Sequence, residues 1–271
     1  MTVTSDTSAA SSGEAAADAS TRKVGVILTT PVKSMALQQP EQIELTTDGI
    51  VDNRRFYLID HRDRLFVGRR FGPLVQVRPE FDGTVLTLIF PSGEVVSDTI
   101  QLGDTVETNF YNLRTVRGRV VTGPWAEALA NYTGIGVRLV YAEQSDADDL
   151  TPVTLLSRAS LERLGRELDT EIDCRRFRML FTLDGCDAHE EDGWTRVQIG
   201  EAIVCIGSAI GHQVPRCGVI TQNPDTGVRS LDALRAIKRY RGRTTVGVPF
   251  GVYASIERGG RVQVGDRVEP L

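Results

Sequence analysis

Apolar side chains recur at alternate positions or in short runs along most of this chain, the spacing of strands rather than of helices. "KVGVIL" opens the pattern, with Val24, Val26 and Leu28 on alternate positions. "RRFYLID" and "RLFVGRR" flank "HRD" and predict a hairpin. "TVLTLIF" runs into "PSG" and on to "EVVSDTIQL", a second strand–turn–strand arrangement. A small motif returns as "QLGDTVE" at 101–107, "VQIGEAI" at 197–203 and "VQVGDRVE" at 262–269. Gly accepts positive φ and the acid after it can bond its own backbone, so each predicts a turn entering a strand. Such turns in a strand-rich chain predict barrels or rolled sheets. Helical spacing is confined to three segments. "GPWAEALANYTG" stops at Gly134. "SRASLERLGRELD" has Ser157 as N-cap and Leu161, Leu164 and Leu168 on one face. "SLDALRAIKRYRG" starts at Ser230.

Composition divides the chain. Residues 1 to 22 are Ser, Ala, Thr, Asp and Glu with almost nothing large and apolar, and predict a disordered tail. The acidic "AEQSDADDLTP" at 142–152 reads as a linker between an N-terminal region, 23–141, and a C-terminal region, 150–271. The 271 residues suffice for one large or two moderate cores. A net charge of −5 argues against an extended nucleic-acid surface while leaving room for a local basic pocket. No apolar run reaches the ~18 residues of a membrane span. The N-terminus lacks a basic start followed by an apolar stretch, so no secretory signal is expected. Four cysteines without a Cys-x-x-Cys pair fit a cytoplasmic protein with reduced thiols.

Candidate chemistry centres on "VPRCGVITQNPDTG", residues 214–227. Cys205, in the apolar "AIVCIG", is expected in the core; Cys174 and Cys186 have no compelling context. Cys217 follows Arg216, a cation that favours thiolate, is held by Pro215, and leads into a turn. Its residues leave open a small buried hydrophobe and a working thiol. His212 lies close enough in sequence for a Cys–His nucleophile pair to be considered. Basic residues supply a second theme: Lys33 and Ser34 in "TTPVKSM", Arg54 and Arg55 in "NRRFYLID", and Arg175, Arg176 and Arg178 around Phe177. On an alternating strand Arg176 and Arg178 share a face, and such runs are commonly solvated edge-strand charges.

The ordered set "PVKSM", "RRFYLID", "TPVTLLSRASLERL", "RRFRMLFTLDG", "EEDGWTRVQIG", "PRCGVITQNPDTG", "FGVYASI" and "RVQVGDRVEPL" resembles the molybdenum-cofactor sulfurase C-terminal (MOSC) domain family with its N-terminal β-barrel extension. Its relatives include the mitochondrial amidoxime reducing components and bacterial N-hydroxylated-base reductases. The resemblance implies a mainly β, α+β fold: a MOSC β-barrel, an N-terminal barrel-like domain and a few helices. It implies that Cys217 is the catalytic thiol and the one protein ligand of molybdenum carried by a pyranopterin dithiolene. It implies cofactor contacts at Lys33, Ser34, Arg55, Thr151 and Arg178. The activity implied is reduction of small N-oxygenated molecules, hydroxylamines or amidoximes, with electrons from a separate ferredoxin- or cytochrome-type protein. Neither nucleic acid nor membrane is an expected partner. The alternative is a sulfur-carrier or biosynthetic protein that holds a persulfide on Cys217 or acts on an unusual substrate, with or without molybdenum. Three positions depart from the family pattern: Met179-Leu180 where Pro-Asn is common, Ile220 where Thr is common, and Asn223 where Asp is usual. Asn can cap the same turn without charge.

Overall fold

The computed structural model describes residues 21–51, 53–143 and 147–271. All but the last two residues of the expected tail lie outside the described residues. Among the described residues three α-helices interrupt a strand-rich chain: α1 (Trp125–Thr133), α2 (Arg158–Leu168) and α3 (Ala233–Arg241). The largest sheet has eight strands. Lys23–Ile27 pairs antiparallel with Phe181–Asp184, which lies parallel to Val153–Ser157 across the α2 crossover. The order continues through Val248–Arg258, Ala202–Ile206 and Arg196–Ile199 to Val268–Pro270. The two ends then meet: Lys23 bridges Arg267, the Val24 amide donates to the Asp266 carbonyl at 2.9 Å, and the Val268 amide to Arg22 at 2.9 Å. The sheet is thus nearly closed into a barrel, which leaves few strand edges free. Its interior is a continuous apolar core that includes Leu155, Phe181, Val204 and Val252.

A five-stranded sheet runs Leu65–Phe66, Phe56–Asp60, Val137–Ala142, Arg114–Thr122, Gln101–Phe110. It shares a second core with the three-stranded sheet Arg78–Phe81, Val85–Ile89, Val95–Thr99 and with α1. Trp125 of α1 is fully buried there and its indole donates to the Leu86 carbonyl at 3.1 Å. The "HRD" hairpin forms as its pattern predicts. Buried Asp60 closes it, accepting from the amides of Arg62 at 2.9 Å and Arg64 at 3.2 Å and from the Arg70 guanidinium at 2.8 Å. The N-terminal and C-terminal halves also touch through two glycines. A Cβ on Gly227, at φ 71°, would lie 2.1 Å from the Gly72 carbonyl carbon, so this approach admits no side chain.

Several sequence expectations need correction. Gly200 and Gly265 turn the chain at φ 54° and 91°, but Gly103 lies inside strand Gln101–Phe110, where the Arg119 guanidinium binds its carbonyl at 3.0 Å. Helix α3 begins at Ala233, not Ser230, because the Ser230 amide is taken by the Thr221 carbonyl and its hydroxyl by Arg176. Arg175 and Arg176 sit on a short 3-10 helix, Cys174–Phe177, so strand alternation does not apply to them. Cys205 is half-buried against Glu257 rather than in the core. Within the acidic segment 142–152, residues 144–146 lie outside the described residues, and Ala147 and Asp148 are buried.

α2, α3 and strand Val248–Arg258 enclose a third core that contains Ile220 and Phe250. Against it lies a polar knot. Ser157 caps α2 by accepting from the Ser160 amide at 3.3 Å, and its hydroxyl is 2.6 Å from that of Ser160. The Ser160 hydroxyl is 3.1 Å from His189 Nδ1 and accepts the His189 amide at 2.8 Å. Burial holds the His189 imidazole neutral, its pKa pushed down to about 4, with Arg241 and Arg163 reinforcing and Asp192 opposing. Burial pushes the neighbouring Glu191 carboxyl the other way, upward. An unfolded chain takes up the histidine proton near 6.5 and the folded one only near 4. His189 therefore stabilises the fold fully above pH 6.5, and that stabilisation is lost as the pH falls towards 4. Glu191 works in the opposite sense, so the histidine is isolated by difference. The wild-type urea midpoint is expected to fall further between pH 7 and pH 5 than that of His189→Gln; equal slopes would show that the imidazole is not held neutral.

Candidate functional site

A cavity of about 540 Å³ opens beside the third core, which gives Phe177, Met179, Val214, Ile220 and Tyr253 to its wall, within the size range of small-molecule and cofactor pockets. Its wall draws on the turn after the first strand, the start of Phe56–Asp60, the tip of the Gln101–Phe110/Arg114–Thr122 hairpin, the end of the 142–152 segment, and the loop that carries Cys217. Six cationic side chains line it, Lys33, Arg54, Arg69, Arg176, Arg178 and Arg216, against one carboxylate, Asp149. A polar side cavity of about 350 Å³ adjoins it and shares Arg176, Arg178 and Gln222.

The cations are held by backbone as much as by acids. Lys33 is buried, donates to the Ala147 carbonyl at 2.7 Å and pairs with Asp149 at 2.5 Å. Burial lowers its pKa against the pull of Asp149. Arg54 pairs with buried Asp148 and also donates to the Arg178 carbonyl at 2.8 Å. Burial raises the Asp148 carboxyl and Arg54 lowers it; the net direction is upward. Arg178 donates to the Met35 carbonyl at 2.7 Å, and burial followed by repulsion from Arg54 brings its pKa down to about 9. Arg216 donates to the carbonyls of Phe250 at 2.9 Å and Phe177 at 3.0 Å, reaches Met179 Sδ, and is lowered by burial to about 10. No carboxylate of the described residues forms an ion pair with Arg178 or Arg216. A desolvated cation without a counter-ion is costly. The cavity therefore has the electrostatics of an anion site.

Backbone conformation marks the same place. Ser34, Arg54, Tyr111 and Arg178, all lining the cavity, have φ of 75°, 49°, 60° and 53°. Non-glycine residues in this region are uncommon and gather at functional sites. Each lies at a turn. Ser34 sits where the Met35 amide closes on the Val32 carbonyl at 3.2 Å, and Tyr111 at the hairpin tip where Leu113 closes on Phe110 at 3.0 Å.

Cys217 is delivered by strand Gln213–Arg216, paired with the N-terminal half of Val248–Arg258. The chain leaves the sheet at Cys217 and enters a 3-10 helix, Gly218–Thr221, that buries Ile220 and Thr221. The thiol itself is exposed and lines the cavity. The turn beyond is closed by Asn223 Oδ1, which accepts from the amides of Asp225 at 2.8 Å and Thr226 at 3.1 Å. A neutral Asn performs that capping here.

Of the sequence-predicted residues, the cavity brings together Lys33, Ser34, Thr151, Arg178 and Cys217. Arg55 is not among its lining residues. Its guanidinium lies over the Tyr141 ring at 4.5 Å, because successive residues entering a strand point to opposite sides. Arg54 occupies the cavity wall instead. His212 does not line the cavity. Sequence reasoning missed Asp149, Tyr111, Arg216 as a wall residue, and Tyr253, whose hydroxyl burial pushes up to about 12. Asp149 stands two residues before Thr151 and could have been found from it; Tyr111 gives no such signal, since only its turn brings it to the wall.

Residues 143–269, which supply Cys217 and most of the closed sheet, match the MOSC domain family. Over a longer span the chain is similar to mitochondrial amidoxime-reducing component 1 of Homo sapiens, 28% identical across 88% of this chain and 80% of that protein. The corresponding protein of Xenopus laevis is 26% identical across 91% and 82%. Mitochondrial amidoxime reducing component 2 of Homo sapiens is 34% identical across 44% of this chain and 37% of its own length. Among the described residues no helix is long and apolar enough to cross a membrane.

The unbalanced cations give a direct expectation for the purified protein. Pyrophosphate, a compact anion, should raise the melting temperature of the wild type by several degrees at millimolar concentration. Arg178→Met should show at most a small part of that rise. An equal rise in the variant would place anion binding elsewhere.

Proposed function

We propose that this protein is a molybdenum-cofactor-dependent reductase of N-oxygenated molecules. The observation that carries the proposal is an exposed thiol, Cys217, sharing one cavity with half-buried guanidiniums, Arg178 and Arg216, that among the described residues have no carboxylate in an ion pair. A cofactor that ends in a phosphate and presents a soft metal needs both features. The residues fit it on their own chemistry: Arg178, Arg216 and Lys33 supply cations, Ser34 and Thr151 hydroxyls, and Cys217 the thiolate. Similarity to amidoxime-reducing components over most of the chain directs the choice of substrate to N–OH compounds.

The cofactor, when bound, would supply two-electron removal of oxygen from nitrogen. The chain's own part is binding and electrostatics. Cys217 Sγ would be the protein ligand of the metal. Arg178 and Arg216 would neutralise the phosphate, a charge-assisted contact that repays their desolvation. Lys33, already paired with Asp149, would fix the 147–151 segment as well as add charge. Tyr253, protonated at neutral pH, offers a hydroxyl donor at the wall. Arg55, on this reading, supports the strand behind the cavity. We also take 23–141 and 150–271 as two units of one reductase, with electrons arriving from a separate protein.

Cys217→Ala tests the reading. Expressed in a host that makes molybdenum cofactor, the wild type should contain about one molybdenum per chain and reduce a hydroxylamine or amidoxime with reduced viologen as donor. The variant should keep the wild-type circular dichroism and lose turnover by at least ~100-fold, as for loss of a metal ligand. A wild type without molybdenum, or a variant that retains turnover, defeats the proposal. A mass increase of one sulfur that reductant removes would favour the persulfide alternative.

A further inference from the structure

From Arg229 to Arg243 the chain carries six cationic side chains and one carboxylate, Asp232, in a protein of net charge −5. Arg241 turns inward to pair with Asp192. The other five, Arg229, Arg235, Lys238, Arg239 and Arg243, are exposed. Helix α3 accounts for this division: it buries Ala233, Ala236 and Ile237 in the core that holds Ile220, which leaves its charges outside. Asp232 lies 3.0 Å from Arg229 and 4.0 Å from Arg235. Exposed pairs of this kind are weak, and four positive charges remain in excess on this face.

The position of the run gives it meaning. Both ends are fastened to the cavity wall. At one end the Arg229 backbone bridges that of Gln222, a lining residue, and lining Arg176 donates to Ser230 at 3.1 Å. At the other end Val246, shortly beyond Arg243, lines the cavity. Between them α3 packs on the 3-10 helix that follows Cys217. Val228 and Val246 add exposed apolar contacts beside the charge.

We propose that this face is the docking surface for an acidic one-electron carrier protein. The inference rests on the reductase reading, because that reaction needs electrons from outside: R–NHOH + 2e⁻ + 2H⁺ → R–NH₂ + H₂O. Two carrier molecules are each oxidised by one electron, the N–O bond breaks, and water supplies the protons. Complementary charge steers such a partner and fixes its orientation. Fastening the basic run to the cavity wall keeps the carrier's prosthetic group close to the site. α3 is only about 14 Å long at 1.5 Å per residue, a match for one side of a small protein rather than for a long polyanion.

The test uses the full-length, cofactor-loaded protein and an acidic [2Fe–2S] ferredoxin as probe. In Arg235→Glu/Lys238→Glu/Arg239→Glu, ferredoxin binding measured by calorimetry should weaken at least ~10-fold. Ferredoxin-driven turnover should fall with it, and turnover driven by reduced viologen should stay at the wild-type level. Wild-type binding should also weaken as salt is raised. Equal ferredoxin binding by variant and wild type overturns the docking surface, as does binding of a DNA duplex in preference to ferredoxin. If the wild type lacks viologen-driven turnover, the reductase reading fails, and the calorimetric arm still decides the docking surface.

Discussion

Positive charge taken out of water without a matching carboxylate is the constraint around which this structure is arranged. Arg178 and Arg216 are depressed by burial, and backbone carbonyls are their main partners. A carbonyl dipole orients a guanidinium without cancelling its charge. Each tie also joins parts of the chain distant in sequence. Arg178 reaches Met35, Arg54 reaches the Arg178 carbonyl, and Arg216 reaches Phe177 and Phe250. The cations that ready the cavity for an anion are thus the same contacts that hold its walls together.

The fold makes those contacts possible by bringing turns to one place. Strands alternate their side chains, so a strand alone cannot aim several neighbouring charges at one point. Left-handed turns at Ser34, Arg54, Tyr111 and Arg178 redirect the chain at the strand ends. The contact between Gly72 and Gly227 draws the turn beyond Cys217 against the N-terminal half, with no space for a side chain. The second core, with Met35 and Phe56, and the third, with Phe177 and Met179, pack beside these turns and supply the rigidity that they require.

Much of the fold was legible from sequence because it is local. The "HRD" hairpin, the Ser157 cap and the Gly134 stop rest on residues close in the chain, and each forms as its pattern predicts. The start of α3 was not legible, since distant Thr221 and Arg176 hold Ser230 outside the helix. For the candidate site, the sequence motif pointed to Lys33, Ser34, Thr151, Arg178 and Cys217, and these line one cavity. It failed between Arg54 and Arg55, where the choice depends on one backbone dihedral and on Tyr141, far along the chain. It also failed at Cys205, whose apolar neighbours hide a partner, Glu257, on the adjacent strand.

A cavity with this charge has a thermodynamic consequence for the whole molecule. Desolvating Arg178 and Arg216 subtracts from stability as long as no anion meets them, and an anion that binds only the folded chain returns that free energy. Because those guanidiniums also tie the Met35, Phe177 and Phe250 segments together, the return is felt across the second and third cores and not only at the cavity wall. Occupancy of the cavity and rigidity of the fold are then two readings of one equilibrium. The acidic pairs at Lys33 and Arg54 limit the cost of the empty state by neutralising part of the charge in place. Leaving Arg178 and Arg216 without such partners sets how strongly the cavity draws an anion, and pairing them with added carboxylates would stabilise the empty protein at the expense of its ligand.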